Sequence, residues 1–278
     1  MTTTRHSILI GAAIFMGQTS AAAAGGLPPM PEYPQTYKGA VELPAPVVVE
    51  HAWYLRGFVG MTNQEVDDIT NAAIRAGTFQ IEQLDFDSSP FIGFGIGYIV
   101  NDFLRFDGTA EYRGGAEFRG LDTYFDPTCG PGVCTNEHTG VKSEWLLLAN
   151  GYWDIYTWHG FTPYVGAGVG TARVTLEDFW DVNLVTNGLH WADDNSEWNF
   201  AWALYAGVGF EIAPNLLFDI GYRYVETGDG VTGPYFTYDP GAPQPQGATT
   251  LEDISSHDIM VGLRWRFGHE EVLPIAYK

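Results

Sequence analysis

Between Trp53 and Phe267 apolar and polar side chains alternate in eight separate runs, and the connections between those runs are alternately short and long. Alternation with a period of two is the mark of a strand with two unlike faces. The runs are Trp53 to Met61, Pro90 to Ile99, Phe103 to Arg113, Lys142 to Trp153, Thr162 to Ala172, Phe200 to Glu211, Leu216 to Tyr224 and His257 to Phe267. Three connections are short: VND at 100–102, DIYTWHG at 154–160 and APN at 213–215. Four are long: 62–89, 114–141, 173–199 and 225–256. Strict alternation puts all the long connections at one end of an antiparallel meander and all the short ones at the other. The segment Thr78 to Phe86 is read as the second strand continuing beyond its run, with a ten-strand count as the alternative.

Such a meander closes into an all-β, eight-stranded antiparallel up-and-down barrel, and it can close in two ways. With the apolar face inward it is a soluble carrier of the lipocalin kind; with the apolar face outward it crosses a bilayer. Runs of about 9 to 12 residues match a tilted membrane strand, and long connections opposite tight turns match an outer-membrane barrel. Three observations favour that orientation. The polar face carries Arg56, Arg105, Arg113, Arg223, Arg264 and Arg266 against Asp107, Glu111, Glu144, Glu211, Asp219 and Asp258. Charges packed into a narrow lumen must be paired to offset desolvation, and a solvated surface needs no such balance. The positives collected are arginines, suited to bidentate pairing with carboxylates. Glycines gather on the same face: Gly93, Gly95, Gly97, Gly166, Gly168, Gly170, Gly207 and Gly209. They leave room in a small lumen and would only weaken strands on an outer surface. On the apolar face, aromatic residues cluster at the short-turn end (Trp53, Trp153, Trp265, Phe267) and again towards the long connections (Tyr112, Trp145, Phe200, Tyr222). Two aromatic belts around an aliphatic band are what two lipid interfaces select.

The chain begins with Arg5, an apolar run from Ile8 to Met16 and the small residues Ala21 to Ala24. This is the pattern of a cleaved secretory signal over 1–24, the apolar run being too short to span a membrane as a helix. Residues 25–52 hold six prolines and no alternation, which reads as an extended periplasmic linker; 53–267 form the barrel and 268–278 a periplasmic tail. Export allows Cys129 and Cys134 to form a loop disulfide. A net charge of −21 argues against nucleic-acid binding, which rests on neutralising phosphates.

Three stretches, FTPYVGAGVG (161–170), FDIGYRYVETG (218–228) and SHDIMVGLRWRFG (256–268), resemble the fifth, seventh and eighth strands of the small opacity-type outer-membrane proteins of alphaproteobacteria, relatives of the OmpX and OmpA barrels. The similarity covers most of Trp53 to Gly268. It implies insertion into the outer membrane by the barrel assembly machinery; outer-membrane lipid and lipopolysaccharide are the expected partners there. That machinery reads a last strand ending in an aromatic residue, which here is Phe267. Family members usually stop there, whereas this chain continues with GHEEVLPIAYK.

The long connections hold 21 Asp and Glu against Arg75, Arg119 and Arg173, a net −18. This acidic crown reads as a solvated surface, with divalent cations at the loops as the alternative. Loop aromatics Phe179, Trp180, Trp191, Trp198, Tyr235, Phe236 and Tyr238 either pack the loops together or serve as adhesive anchors. Ser255, Ser256, His257 and Asp258 bring a nucleophile, a base and an acid together in sequence, but strand alternation separates neighbours in space, and the His-x-Ser-Asn pattern of lipid A deacylases does not occur. His51, His138, His159, His190 and His269 read as decoration of loops and ends. No cofactor is implied. The expected role is a structural or surface one, with a small-solute channel or an adhesin as alternatives and a lipid A-modifying enzyme as the least supported.

Overall fold

The computed structural model describes residues 48–50, 52–71, 79–130, 132–238, 247–267 and 270–272. The secretory signal, nearly all of the proline-rich segment, most of the tail, Arg75, His51 and His269 lie outside the described residues. Fourteen strands are described: β1 (Val48–Glu50), β2 (Ala52–Glu65), β3 (Asp68–Thr70), β4 (Gln80–Phe86), β5 (Ser89–Asn101), β6 (Leu104–Phe125), β7 (Val133–Asp154), β8 (Phe161–Asn183), β9 (Leu189–Ala192), β10 (Asn195–Ala213), β11 (Leu216–Val231), β12 (Tyr235–Thr237), β13 (Thr250–Phe267) and β14 (Glu270–Val272). Eight of them, β2, β5, β6, β7, β8, β10, β11 and β13, pair in that order, each antiparallel to the next. The ring closes where β13 meets β2, from Ser255 opposite Glu65 down to Phe267 opposite Trp53.

Alternation holds in space as in sequence. Along β2, Tyr54, Arg56, Phe58, Thr62 and Gln64 are buried in the interior while Trp53, Leu55, Val59 and Met61 point out. The interior glycines make room for larger neighbours: a Cβ on Gly93 would overlap the Phe58 ring, and one on Gly207 would meet the Tyr164 hydroxyl. At the short turn between β10 and β11, Asn215 adopts φ 65°, the left-handed geometry that Asn tolerates in tight hairpins.

The long connections depart from expectation. The ring strands run from 13 to 23 residues, and most of the added length lies at the long-connection end. What reads in sequence as the loop 114–141 is a continuation of β6 and β7 as a paired hairpin up to Phe125 opposite Val133. Its tip is a short 3-10 turn over Pro127–Cys129, started by the Asp126 side chain accepting from Thr128 N at 2.8 Å and bound by a Cys129–Cys134 disulfide. β4 pairs with β6 from Phe86 opposite Phe118, beyond the last β5–β6 pair at Phe91 opposite Arg113. It thus carries the second strand onward after a break at Asp87–Ser88. A strand leaving the apolar belt into water still has unpaired backbone groups, and continuing the ladder satisfies them. The extension also has its own apolar interior, with Phe86, Phe118, Phe179, Leu176, Leu251 and Tyr235 buried. Phe118 stacks on Phe179 with ring centroids 5.9 Å apart. Phe179 and Tyr235 thus follow the packing alternative of the sequence reading and are core residues of the extension. Trp180, Trp191, Phe236 and Tyr238 pack on one another.

At the opposite end β1 pairs with β14, Val48 opposite Val272 and Glu50 opposite Glu270. Part of the segment read as linker and part of the tail thus form a two-stranded ribbon.

Candidate functional site

Interior positions of neighbouring ring strands bring the buried charges together in two layers. Nearer the extended end, Glu111 accepts from Arg113 Nε at 2.8 Å and from Arg223 Nη1 and Nη2 at 2.9 and 2.7 Å. Asp258 Oδ2 accepts from Arg113 Nη2 at 2.6 Å and from Arg223 Nε and Nη2 at 2.9 and 2.7 Å. Lys142 donates to Glu144 at 2.6 Å, and Glu144 also lies 3.1 Å from Arg113 Nε. Ser256 Oγ accepts a further hydrogen bond from Arg113 Nη1 at 2.7 Å. The Phe91 ring lies 5.5 and 5.2 Å from the two guanidinium carbons, a cation–π contact in a desolvated setting.

Nearer the short turns, Asp107 accepts from Arg56 at 3.1 Å, Tyr54 at 2.9 Å and Asn150 at 2.8 Å. Arg56 donates also to the Tyr152 hydroxyl at 2.7 Å. Arg105 pairs with Asp154 at 3.1 Å and lies 4.0 and 4.7 Å from the Tyr152 and Tyr164 ring centroids. Arg264 pairs with Asp219 at 3.0 Å. Tyr205 joins the layers: its hydroxyl donates to Asn150 at 2.8 Å while its ring faces Arg223.

Each layer holds three cations and three carboxylates, but the membership differs from the sequence reading. Glu211 and Arg266 form a separate, partly exposed pair at the short-turn rim, 3.1 Å apart, because they are the last alternating residues before that end. Lys142 and Asp154 take their places inside. The polar face is therefore not served by arginine alone. Both residues carry a parity signal, Lys142 two before Glu144 and Asp154 two after Tyr152.

Above these layers His138, read as loop decoration, is 1% exposed and lies 2.7 Å from Asp122 through Nε2 and 3.9 Å from Asp181 through Nδ1. Burial opposes its charged form, yet the Asp122 hydrogen bond and the Asp181 charge outweigh that and raise its pKa above the ordinary imidazole value. Burial likewise raises Asp181. Of the Ser-His-Asp cluster, Ser256 and Asp258 face the lumen, whereas His257 lies outside against the Tyr222 hydroxyl at 2.5 Å. Among the described residues no group of three or more His, Cys, Asp or Glu is placed to hold a metal ion.

The family described as "Outer membrane protein beta-barrel domain" matches residues 39–267. The chain belongs to this family. This outer-membrane barrel is 30% identical over 253 residues to an uncharacterized protein of Brucella melitensis, covering 81% of this chain and 87% of that one. It is 26% identical over 222 residues to a putative adhesin of Rickettsia massiliae, covering 78% and 88%. Among solved structures it matches OprG of Pseudomonas aeruginosa at 16% identity and a TM-score of 0.44, covering 80% of this chain and 98% of that one. The Gram-negative outer membrane accounts for the exposed apolar band. Leu55, Ile92, Phe94, Leu204, Ile259 and Leu263 face lipid, with Trp53, Trp153 and Trp265 at one interface and Tyr112 and Trp145 at the other. Closure of the ring leaves no unpaired edge in hydrocarbon.

Proposed function

We propose that this outer-membrane barrel is a sealed anchor that displays a β-structured, acidic surface head, and that its role is structural and surface contact, not solute passage. The reading rests on the lumen. Arg56, Asp107, Glu111, Arg113, Lys142, Glu144, Arg223, Asp258 and Arg264 are each less than a tenth exposed, and an eight-stranded ring is narrow enough for side chains to fill. Such a network blocks an aqueous path and ties five strands together from inside. The extended hairpins and their apolar interior give the head a defined shape, and its exposed carboxylates keep it soluble and open to cations or a partner surface. The name of the Rickettsia massiliae relative, a putative adhesin, is consistent with a surface-contact role.

The test is planar-bilayer conductance of the refolded, full-length protein. Silent bilayers containing folded barrel, verified by heat-modifiable mobility on gels, are the expected result. Discrete, ion-selective steps from the unmodified protein would replace this reading with that of a small-solute channel.

A further inference from the structure

Arg173 stands apart from the other cations. Among the described residues Arg56, Arg105, Arg113, Arg119, Lys142, Arg223, Arg264 and Arg266 each lie within ion-pair distance of a carboxylate. Among the same described residues Arg173 has no such partner, in a chain whose acids outnumber its bases 34 to 13. Its side chain is exposed on the outward face of β8. Directly opposite on either side are Trp145 of β7 and Trp198 of β10, 47% and 58% exposed. Tyr112, one strand further, packs against Trp145 with tilted rings and centroids 5.1 Å apart, so this row belongs to the aromatic belt at the extended end.

The rows on either side of it are chemically opposite. One step towards the membrane centre the same face carries Leu147, Thr171 and Phe200, in register. One step towards the head it carries Ser143, Thr175 and Ser196, again in register, with the Thr175 and Ser196 hydroxyls 2.9 Å apart. Cross-strand neighbours lie roughly 5 Å apart, so one guanidinium and three hydroxyls share a patch spanning the three strands β7, β8 and β10, above a row that carries Leu147 and Phe200. Glu177, the next outward carboxylate along β8, is four residues from Arg173.

We infer that Arg173, framed by Trp145 and Trp198 and topped by Ser143, Thr175 and Ser196, is a binding site for the phosphate of an outer-leaflet lipid whose acyl chains lie on the apolar row below. A guanidinium donates two parallel hydrogen bonds to phosphate oxygens, and hydroxyls supply further donors. Indole rings hold their place at the level of lipid headgroups. A free anion lacks the acyl chains that keep the phosphate beside a protein of this net charge, so the lipid is the source.

The experiment uses the full-length barrel refolded into phosphatidylcholine vesicles containing either bisphosphorylated lipid A or its dephosphorylated form with the same acyl chains. Thermal unfolding is followed by gel mobility as lipid A is titrated. Phosphorylated lipid A is expected to raise the unfolding temperature of the unmodified protein, and inorganic phosphate to leave it unchanged. Arg173→Ala is expected to require roughly tenfold more lipid for half the effect, the order of one lost charge-assisted hydrogen bond, and Arg173→Glu to abolish it. Arg173→Lys, which keeps the charge but not the fork, falls between. Arg173 is exposed and makes no internal pair, so these variants are expected to fold. Equal stabilisation of Arg173→Glu and unmodified barrel, or of barrel in dephosphorylated lipid, would overturn the assignment. Stabilisation by inorganic phosphate would overturn the choice of a lipid as ligand.

Discussion

At the scale of residues, burial decides what a charge contributes. Arg223 is 1% exposed and bridges Glu111 and Asp258. Truncating it leaves two carboxylates in a water-poor lumen, and removing one partner of such a set costs about 3–5 kcal/mol. Arg223→Ala is therefore expected to lower the free energy of unfolding by an amount of that order, read from the shift of the urea midpoint in lipid vesicles. Arg266 makes a similar contact with Glu211 at 3.1 Å, but the two side chains are 24% and 45% exposed. Exposed pairs contribute roughly 0–1 kcal/mol, so Arg266→Ala is expected to leave the midpoint nearly unchanged. Equal losses in the two variants would mean that water reaches both sites alike. Ten of the twelve charges picked from strand parity lie in the lumen layers. Lys142 and Asp154 lie outside that selection although the same parity marks them, because each sits at the edge of its run. Glu211 and Arg266 have the right parity and the wrong height, since alternation reports a face but not a depth.

At the scale of elements, the ring strands were legible over the part that lipid constrains and illegible above it. Apolar-out alternation from Trp53 to Met61 follows from a hydrocarbon exterior and a charged interior. Above the belt both faces meet other demands: the outside is water and the inside is built from Phe118, Phe179 and Leu176. That change of environment, with a register shift between Arg113 and Ala116, hides the continuation of β6 through Phe125, whose outward positions mix Glu117, Arg119 and Thr123 with Leu121 and Phe125. His138 was obscured by the same change. Its burial among Asp122 on β6, Asp181 on β8 and the Phe179 ring, with Tyr235 of β12 also facing Asp181 and His190 of β9 paired opposite it, links head stability to pH. A raised His138 pKa means that the folded head keeps the imidazolium proton after an unfolded chain would release it. Stabilisation is then present below the ordinary imidazole pKa and is lost as pH rises through the folded value. Asp181, raised by burial, acts with the same sign from the carboxylate range upward. Protection of the β7 and β8 head amides, corrected for intrinsic exchange rate, is expected to fall as pH rises across this range. In His138→Gln the part of that fall above the carboxylate range is expected to flatten. Protection that grows with pH would reverse the linkage.

At the scale of the whole molecule, charge is sorted by height. The two lumen layers are internally balanced, and the long connections carry a net −18 out of the chain's −21. Arg119, an exposed cation of the head, is engaged by Glu117 at 3.0 Å. The detergent-solubilised barrel is accordingly expected to pass unretained through a heparin column at moderate salt and to bind an anion exchanger; retention on heparin would reveal a positive surface that this charge distribution does not contain. The ribbon of β1 and β14 bears on a different property. Among the ring pairings, the seam between β2 and β13 joins the two strands furthest apart in sequence, and it is where such a cylinder can part sideways without a connecting turn holding it. The ribbon continues the run of pairing from Trp53–Phe267 with Val48, Val49 and Glu50 opposite Val272, Glu271 and Glu270. The backbone bonds of β1 and β14 therefore add ladder pairing, in the seam's own register, between the two ends of the chain that the seam brings together.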